Sequence, residues 1–205
     1  MLEAKFFRFL AGRRIAAWRA IGITAALLAL FGRSRWDHTL LEAALFALGA
    51  SLAGAATVGR LWCALYISGR KDSQLVTEGP YSVSRNPLYF FNFLGLLGVG
   101  FVTETLLVPA FLAACFLFLY PAVIHQEEVL LRKRFGAAFD AYCDRTPRFL
   151  PRWSLRRESE EWTVAPRVYM RNMLDSIWWV LLVALIELAE AARELDLLPT
   201  LFVLP

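Results

Sequence analysis

Charge is scarce in this chain, and so are the residues that build metal clusters and disulfide frameworks. Only 20% of its 205 residues are charged, and it holds three cysteines and two histidines. Three cysteines cannot all pair, Cys63 and Cys115 sit in apolar runs, and no Cys-x-x-Cys or Cys/His grouping occurs. A zinc site and a disulfide scaffold are therefore unsupported, and no metal ligand is expected. Gly-x-Ser-x-Gly, His-Glu-x-x-His and the phosphate-binding P-loop are absent as well. Gly95, Gly98 and Gly100 resemble a fragment of a dinucleotide-binding glycine motif. They lie inside an apolar run with no strand before them, so that reading fails its context. They fit either close helix packing or the close approach of a ligand.

What the chain has in abundance is apolar sequence. Apolar residues make up 58% and aromatic residues 14%, and the mean hydropathy is +0.49. Soluble globules average roughly 45–50% apolar and about 25% charged residues. The length suits one domain of about five spans at ~20 residues each. Five stretches qualify. They are Ile15 to Phe31 with Arg19 near its start, Thr39 to about Gly59 with Glu42 (continuing beyond Arg60 as the more amphipathic Leu61–Ser68), the two arms of Leu88 to Ile124, and the shorter Met173 to about Ile186. The polar break Thr103-Glu104-Thr105 reads as the tip of a tight helical hairpin. Its second arm, Leu106 to Ile124, carries no charge, whereas a helix on the surface of a soluble protein keeps a polar face. The expected fold is an all-α polytopic membrane bundle of about five transmembrane helices. In the second span Gly49/Ala53, Ala50/Gly54 and Ala55/Gly59 form small pairs at four-residue spacing, which read as a packing face.

The basic residues sort by loop. Lys5, Arg8, Arg13 and Arg14 precede the first span; Arg60, Arg70, Lys71 and Arg85 follow the second; ten more lie between Arg132 and Arg171. The other side holds only Arg33, Arg35 and Arg193, while acidic residues Glu187, Glu190, Glu194 and Asp196 gather near the end. The positive-inside rule then makes the N-terminus cytoplasmic and places the C-terminus across the membrane. A soluble basic patch would not alternate with the spans, so the pI of 9.2 needs no nucleic-acid partner. Arg13-Arg14 before an apolar run is like a twin-arginine signal. Leu30-Phe31-Gly32 before Arg33 is a poor cleavage site, so an uncleaved first span is expected. Composition and compactness suit a bacterial cytoplasmic membrane.

Two cytoplasmic segments carry candidate chemistry. In Gln74 to Tyr89, Gly79-Pro80 marks a turn, Asn86 suits a helix N-cap and Pro87 the first helical position. Arg85 then stands beside a helix N-terminus, where a carboxylate or phosphate is favoured; on local features alone an ordinary helix start with a positive-inside arginine is the simpler reading. The second segment, His125-Gln-Glu127-Glu128, continues as an amphipathic helix with Leu131, Phe135, Ala138 and Tyr142 on one face, expected along the interface. Glu128 is spaced to pair with Arg132, whereas Glu127 has no basic residue at i+3 or i+4. Glu127 suits a cationic or hydroxyl-bearing ligand group, or is a solvated glutamate at a helix end.

Leu75-Val-Thr-x-Gly-x-Tyr81, Arg85-x-Pro87-x-Tyr89, Glu127-Glu128-x-x-Leu131-x-x-x-Phe135-Gly136-x-x-Phe139-x-x-Tyr142 and Pro147-Arg148-x-x-Pro151 together resemble the isoprenylcysteine carboxyl methyltransferase and phospholipid methyltransferase family. The likeness spans about Gln74 to Pro151. It implies a small integral-membrane enzyme that uses S-adenosylmethionine, with residues 74–151 as cofactor-binding core and 152–205 as an extension carrying the final span.

Position by position, the resemblance implies cofactor contacts from Gln74, Leu75, Val76, Tyr81, Arg85, Asn86, Pro87, Tyr89, Gly98, Gly100, Glu127 and Glu128, with Arg85 and Glu127 as the catalytic pair. Asn86 stands where many members have histidine, and it cannot titrate near pH 7. The implied acceptor is a lipid or lipid-like molecule entering from the bilayer, such as a prenylcysteine-type carboxylate or a phospholipid amine. Sterol-type reductases share a similar Arg-x-Pro-x-Tyr element, generally use NADPH and have more spans. A non-catalytic scaffold of the same fold is the third reading.

Overall fold

The computed structural model describes residues 2–36, 39–70 and 73–205, with side chains from residue 16 onward. Lys71 and the side chains of Lys5, Arg8, Arg13 and Arg14, all used in the sequence reading, lie outside the described residues. Helices dominate: α1 (Leu2–Phe31), α2 (Leu40–Ile67), the turn-like α3 (Pro80–Val83), α4 (Pro87–Val102), α5 (Leu107–Phe135), α6 (Ala137–Arg145) and α7 (Pro166–Glu194). To the all-α expectation the structure adds two three-residue strands, β1 (Gly32–Ser34) and β2 (Phe202–Leu204), which pair in parallel.

Three helices, α2, α5 and α7, are long and apolar enough to cross a membrane. At 1.5 Å per residue each runs beyond the ~30 Å hydrocarbon core. Two shorter apolar helices, Ala16–Phe31 and α4, complete the set of five apolar stretches. Phe118, Leu117, Val58 and Trp178 are exposed on their outer faces, an arrangement suited to lipid as solvent.

Helix boundaries follow local chemistry. Thr39 caps α2 by accepting from the backbone N–H of Glu42 at 3.4 Å, the threonine half of a capping box. The polar tip at 103–105 separates α4 from α5 as the hairpin reading expects. α2 runs unbroken past Arg60 to Ile67, as its amphipathic continuation implies, so Arg60, counted with the loop charges, is a helix residue. Two boundaries differ. α7 is 29 residues long and not the short Met173–Ile186 span, because Pro166 starts it early and the acidic residues through Glu194 stay helical. The single amphipathic helix expected from His125 to Tyr142 is two helices. Gly136 adopts φ 51°, ψ −128° between them, a conformation that glycine reaches at little cost. Leu131 and Phe135 consequently end α5, Ala138 is exposed, and Tyr142 is buried in α6.

The most extensive helix pair is α2 with α4, followed by α2 with α7. Small residues make the first contact possible. A Cβ added to Gly49 would lie 2.6 Å from the backbone nitrogen of Val102, and one on Gly98 would lie 2.6 Å from that of Ala53. Gly59 faces the ring of Phe91 in the same way, whereas Gly54 has open space around it. Backbones in lipid associate through such close packing rather than a hydrophobic drive. At the end of the bundle that holds the 103–105 turn, Arg35 N–H donates to Leu204 O at 2.9 Å and Leu106 N–H to Pro205 O at 2.8 Å. The C-terminal strand thereby joins the α1–α2 and α4–α5 connections.

Gly98→Ala is expected to destabilise the bundle by about 1–3 kcal/mol through overpacking, and Gly54→Ala to change stability by less than about 0.5 kcal/mol. Thermal unfolding of both variants in the same detergent reads the contrast.

Candidate functional site

The irregular stretch 74–86 at one end of the bundle has backbone groups that neither lipid nor a regular ladder can satisfy. Residues 147–157 supply the partners. Arg85 N–H donates to Pro147 O at 2.8 Å, Arg152 N–H to Val83 O at 2.8 Å, and Gly79 N–H to Arg157 O at 2.7 Å. Side chains add to the lacing: Ser84 Oγ donates to Phe149 O at 2.9 Å and Tyr142 Oη to Tyr81 O at 2.7 Å. Burial pushes the Tyr81 and Tyr142 phenols well up, so both keep their protons at neutral pH and neither acts as a base. Farther along, Trp153 stacks on Trp62, and Trp162 packs on Tyr66 with the Arg70 guanidinium over the Trp162 ring. The stretch 152–165 thus folds back onto α2.

This lacing brings the two candidate segments together. Arg85 Nη1 lies 3.4 Å from Glu128 Oε1, and Arg148 Nη2 lies 3.1 Å from Glu128 Oε2. Glu128 therefore pairs with Arg85 and Arg148, not with Arg132 as its spacing suggested; Arg132 instead holds Asp140 at 2.7 Å across the Gly136 bend. Glu127, without a local basic partner in sequence, accepts from Tyr89 Oη at 2.6 Å. Asn86 occupies the N-cap position of α4 without capping it. Its Nδ2 donates to Arg148 O at 2.8 Å, so the amide tethers the 147–151 stretch. Pro87 stands at the first helical position as expected.

Within the charged group Arg85 Nε is buried without a hydrogen-bond partner, and Glu128 Oε1 makes no hydrogen bond beyond its 3.4 Å ion pair with Arg85. A buried donor left so costs about 1–3 kcal/mol, and the guanidinium and carboxylate together suit a ligand that carries both an anionic and a cationic group. Beneath them is an aromatic wall. Tyr89 meets Tyr120 edge-on at 5.1 Å, Tyr120 stacks on Phe116 at 3.9 Å and meets Trp18 at 5.2 Å, and Phe149 packs on Phe90, Phe93 and Phe116.

The other expected contacts fall elsewhere. Gln74 is exposed, and Leu75 and Val76 are half-buried. Gly98 and Gly100 lie about 17–20 Å farther along α4 at 1.5 Å per residue. Gly98 packs on the α2 backbone and a Cβ at Gly100 would strike Pro109, so helix packing accounts for both. Sequence reasoning passed over Arg148, although Pro147-Arg148 belongs to the recognised motif, because its partner is 20 residues away. It also passed over Arg60, whose guanidinium bonds Asn92 Oδ1 across the α2–α4 contact.

The phospholipid methyltransferase family profile matches residues 43–138, a stretch that holds Arg85, Tyr89, Glu127 and Glu128. The chain belongs to the phospholipid methyltransferase family. It is 46% identical over 198 residues to the nickel-cobalt-cadmium resistance protein NccN of Alcaligenes xylosoxydans xylosoxydans, covering 96% of this chain and 92% of that one. It is 49% identical over 179 residues to the cobalt-zinc-cadmium resistance protein CzcN of Cupriavidus metallidurans, covering 87% and 82%. No solved structure matches it. Arg148 and the whole of α7 lie beyond the matched family region and within the length of this family member that NccN shares.

Tyr142→Phe removes the donor that holds the Tyr81 carbonyl. It is expected to cost about 1–3 kcal/mol and to expose the 70–85 stretch to limited proteolysis, with cleavage sites read by mass spectrometry.

Proposed function

We propose that this chain transfers the methyl group of S-adenosylmethionine to a lipid or lipid-like acceptor at the membrane surface. The observation that carries the reading is the Arg85–Glu128–Arg148 group, in which Arg85 and Glu128 are mostly buried and Arg85 Nε has no hydrogen-bond partner, set beside Glu127 and Tyr89. When bound, the sulfonium supplies an activated methyl group. Arg85 would hold the carboxylate of that ligand, and Glu127 and Glu128 its ammonium and ribose hydroxyls, through charge-assisted hydrogen bonds. The Tyr89, Tyr120, Phe116 and Phe149 rings would exclude water and position an apolar acceptor, which is what in-line methyl transfer requires of a protein.

The acceptor class follows from what the site offers. Asn86 cannot take a proton, and its amide is committed to Arg148 O; Tyr81 and Tyr142 keep theirs. A carboxylate acceptor needs no base, whereas a protonated amine does. A prenylcysteine-type carboxylate is therefore favoured over a phospholipid amine.

The end bearing Arg132, Lys133, Arg134, Arg145 and Arg148 is the cytoplasmic one in this reading, with the N-terminus on the same side and the C-terminus opposite, in a bacterial inner membrane. The metal-resistance names of NccN and CzcN support a setting in which the methylation alters the envelope of cells exposed to divalent transition-metal ions.

The test is a thermal-shift titration of the detergent-purified chain with S-adenosylhomocysteine beside NADPH. At about a hundredfold excess over Kd, a ligand of the folded state adds about 2.7 kcal/mol. Stabilisation by S-adenosylhomocysteine alone is expected. Stabilisation by NADPH alone would replace the reading with a sterol-type reductase, and a flat response to both with a non-catalytic scaffold. Arg85→Ala and Glu127→Ala are each expected to weaken S-adenosylhomocysteine binding by about 1.5–3 kcal/mol, roughly ten- to a hundredfold. Folding should survive in Arg85→Ala, because Arg148 still pairs with Glu128.

A further inference from the structure

At the opposite end of α4 from Arg85, about 24 Å away at 1.5 Å per residue, three carboxylates from three different elements converge. Glu42 lies in the first turn of α2, Glu104 in the α4–α5 turn and Glu190 near the end of α7. One carboxylate oxygen from each lies within 4.8 Å of the other two. Sequence separations of 62 and 86 residues keep this grouping out of sight in the chain.

Acidic residues that are merely solvated spread apart, because like charges repel at this range. Here the fold holds one of them in place and dry. Glu104 keeps only 7% of its surface exposed, and its Oε2 is buried without a hydrogen-bond partner. The backbone of the residue is fixed on several sides. Ser34 Oγ donates to Glu104 O at 2.7 Å, Glu104 N–H donates to Phe101 O at 2.9 Å, and Leu106 and Leu107 N–H donate to Pro205 O. It adopts φ 57°, a left-handed conformation that costs a non-glycine residue energy. The nearby Arg193 guanidinium is turned to the end of α1, where Nη1 donates to Ala29 O at 2.5 Å and to Leu30 O at 3.3 Å.

We propose that Glu42, Glu104 and Glu190 bind a divalent cation at the end of the bundle opposite the Arg85 site. The donor set is entirely carboxylate oxygen, which suits hard, oxygen-seeking ions such as Mn2+ and Ca2+ and offers nothing to a thiolate-seeking one. Three protein oxygens leave the remaining coordination positions to water. A cation there would tie the start of α2 to the α4–α5 turn and the end of α7. The site is separate from the proposed methyl-transfer site and does not depend on it.

The experiment is titration of the EDTA-treated, detergent-purified full chain with MnCl2, following free Mn2+ by its electron paramagnetic resonance signal and the fold by thermal unfolding. Saturable binding of one Mn2+ per chain with a raised Tm is expected. Glu104→Gln and Glu190→Gln should each weaken it at least tenfold, while Glu194→Gln, exposed at the end of the same helix, should leave it unchanged. If Glu104→Gln does not fold, Glu42→Gln at the half-exposed start of α2 gives the same reading. Absence of saturable Mn2+ binding to the unsubstituted chain overturns the proposal. So does equal affinity in the folded Glu-to-Gln variants of the three residues.

Discussion

A single carboxylate at the end of α5 sets the geometry of the functional end of this protein. Glu128 stands between Arg85, just before α4, and Arg148, in the stretch after α6. A carboxylate with only 12% of its side chain exposed cannot remain charged alone at a membrane boundary; it needs paired cations. Satisfying it forces the start of α4, the end of α5 and the 147–151 stretch into one place. Asn86 then binds the carbonyl of Arg148, and Tyr142 closes on Tyr81, so the charged pair and the backbone lacing fix the same residues twice. Removing one arginine leaves the other in place, whereas removing Glu128 would leave two cations facing each other.

The lacing answers a second constraint. Residues 74–86 are irregular where the chain meets the membrane, and an irregular backbone is tolerated there only when protein satisfies it. The 147–157 stretch acts as that partner, and Trp153 and Trp162 anchor its continuation on α2. What results is a polar ring of Arg85, Glu127, Glu128 and Arg148 above an aromatic wall. A charged ligand from water and an apolar one from lipid could meet at such a boundary. The proposed methyl transfer uses that boundary, and the relatives named for metal resistance share nearly the whole chain in which it is built.

Much of this was legible in the sequence because it was written in local chemistry. Pro87 after Asn86 marked the start of α4, Thr103-Glu104-Thr105 the hairpin tip, and loop charge the two ends of the bundle. The meeting of Arg85 with the Glu127-Glu128 pair was legible as well, since both segments leave spans on the same side. What stayed hidden was decided by tertiary contact. Spacing alone gave Glu128 to Arg132, but burial beside Arg85 and Arg148 outweighs an exposed helical pair worth a few tenths of a kcal/mol. Apolar periodicity ran through Gly136 as though the helix continued, because one glycine in a left-handed conformation leaves no trace in a hydrophobic pattern. Gly98 and Gly100 matched a motif, yet the backbone of α2 and Pro109 claim them. Arg60, counted with the loops, finds Asn92 32 residues away.

The most direct measurement of the central claim is transfer itself. Membranes from cells producing the unsubstituted chain or Arg85→Ala would be supplied with methyl-labelled S-adenosylmethionine, and label counted in the chloroform-extractable fraction. The account expects label well above the level of membranes lacking the protein, and its loss in Arg85→Ala. Equal label in all three membranes would contradict it.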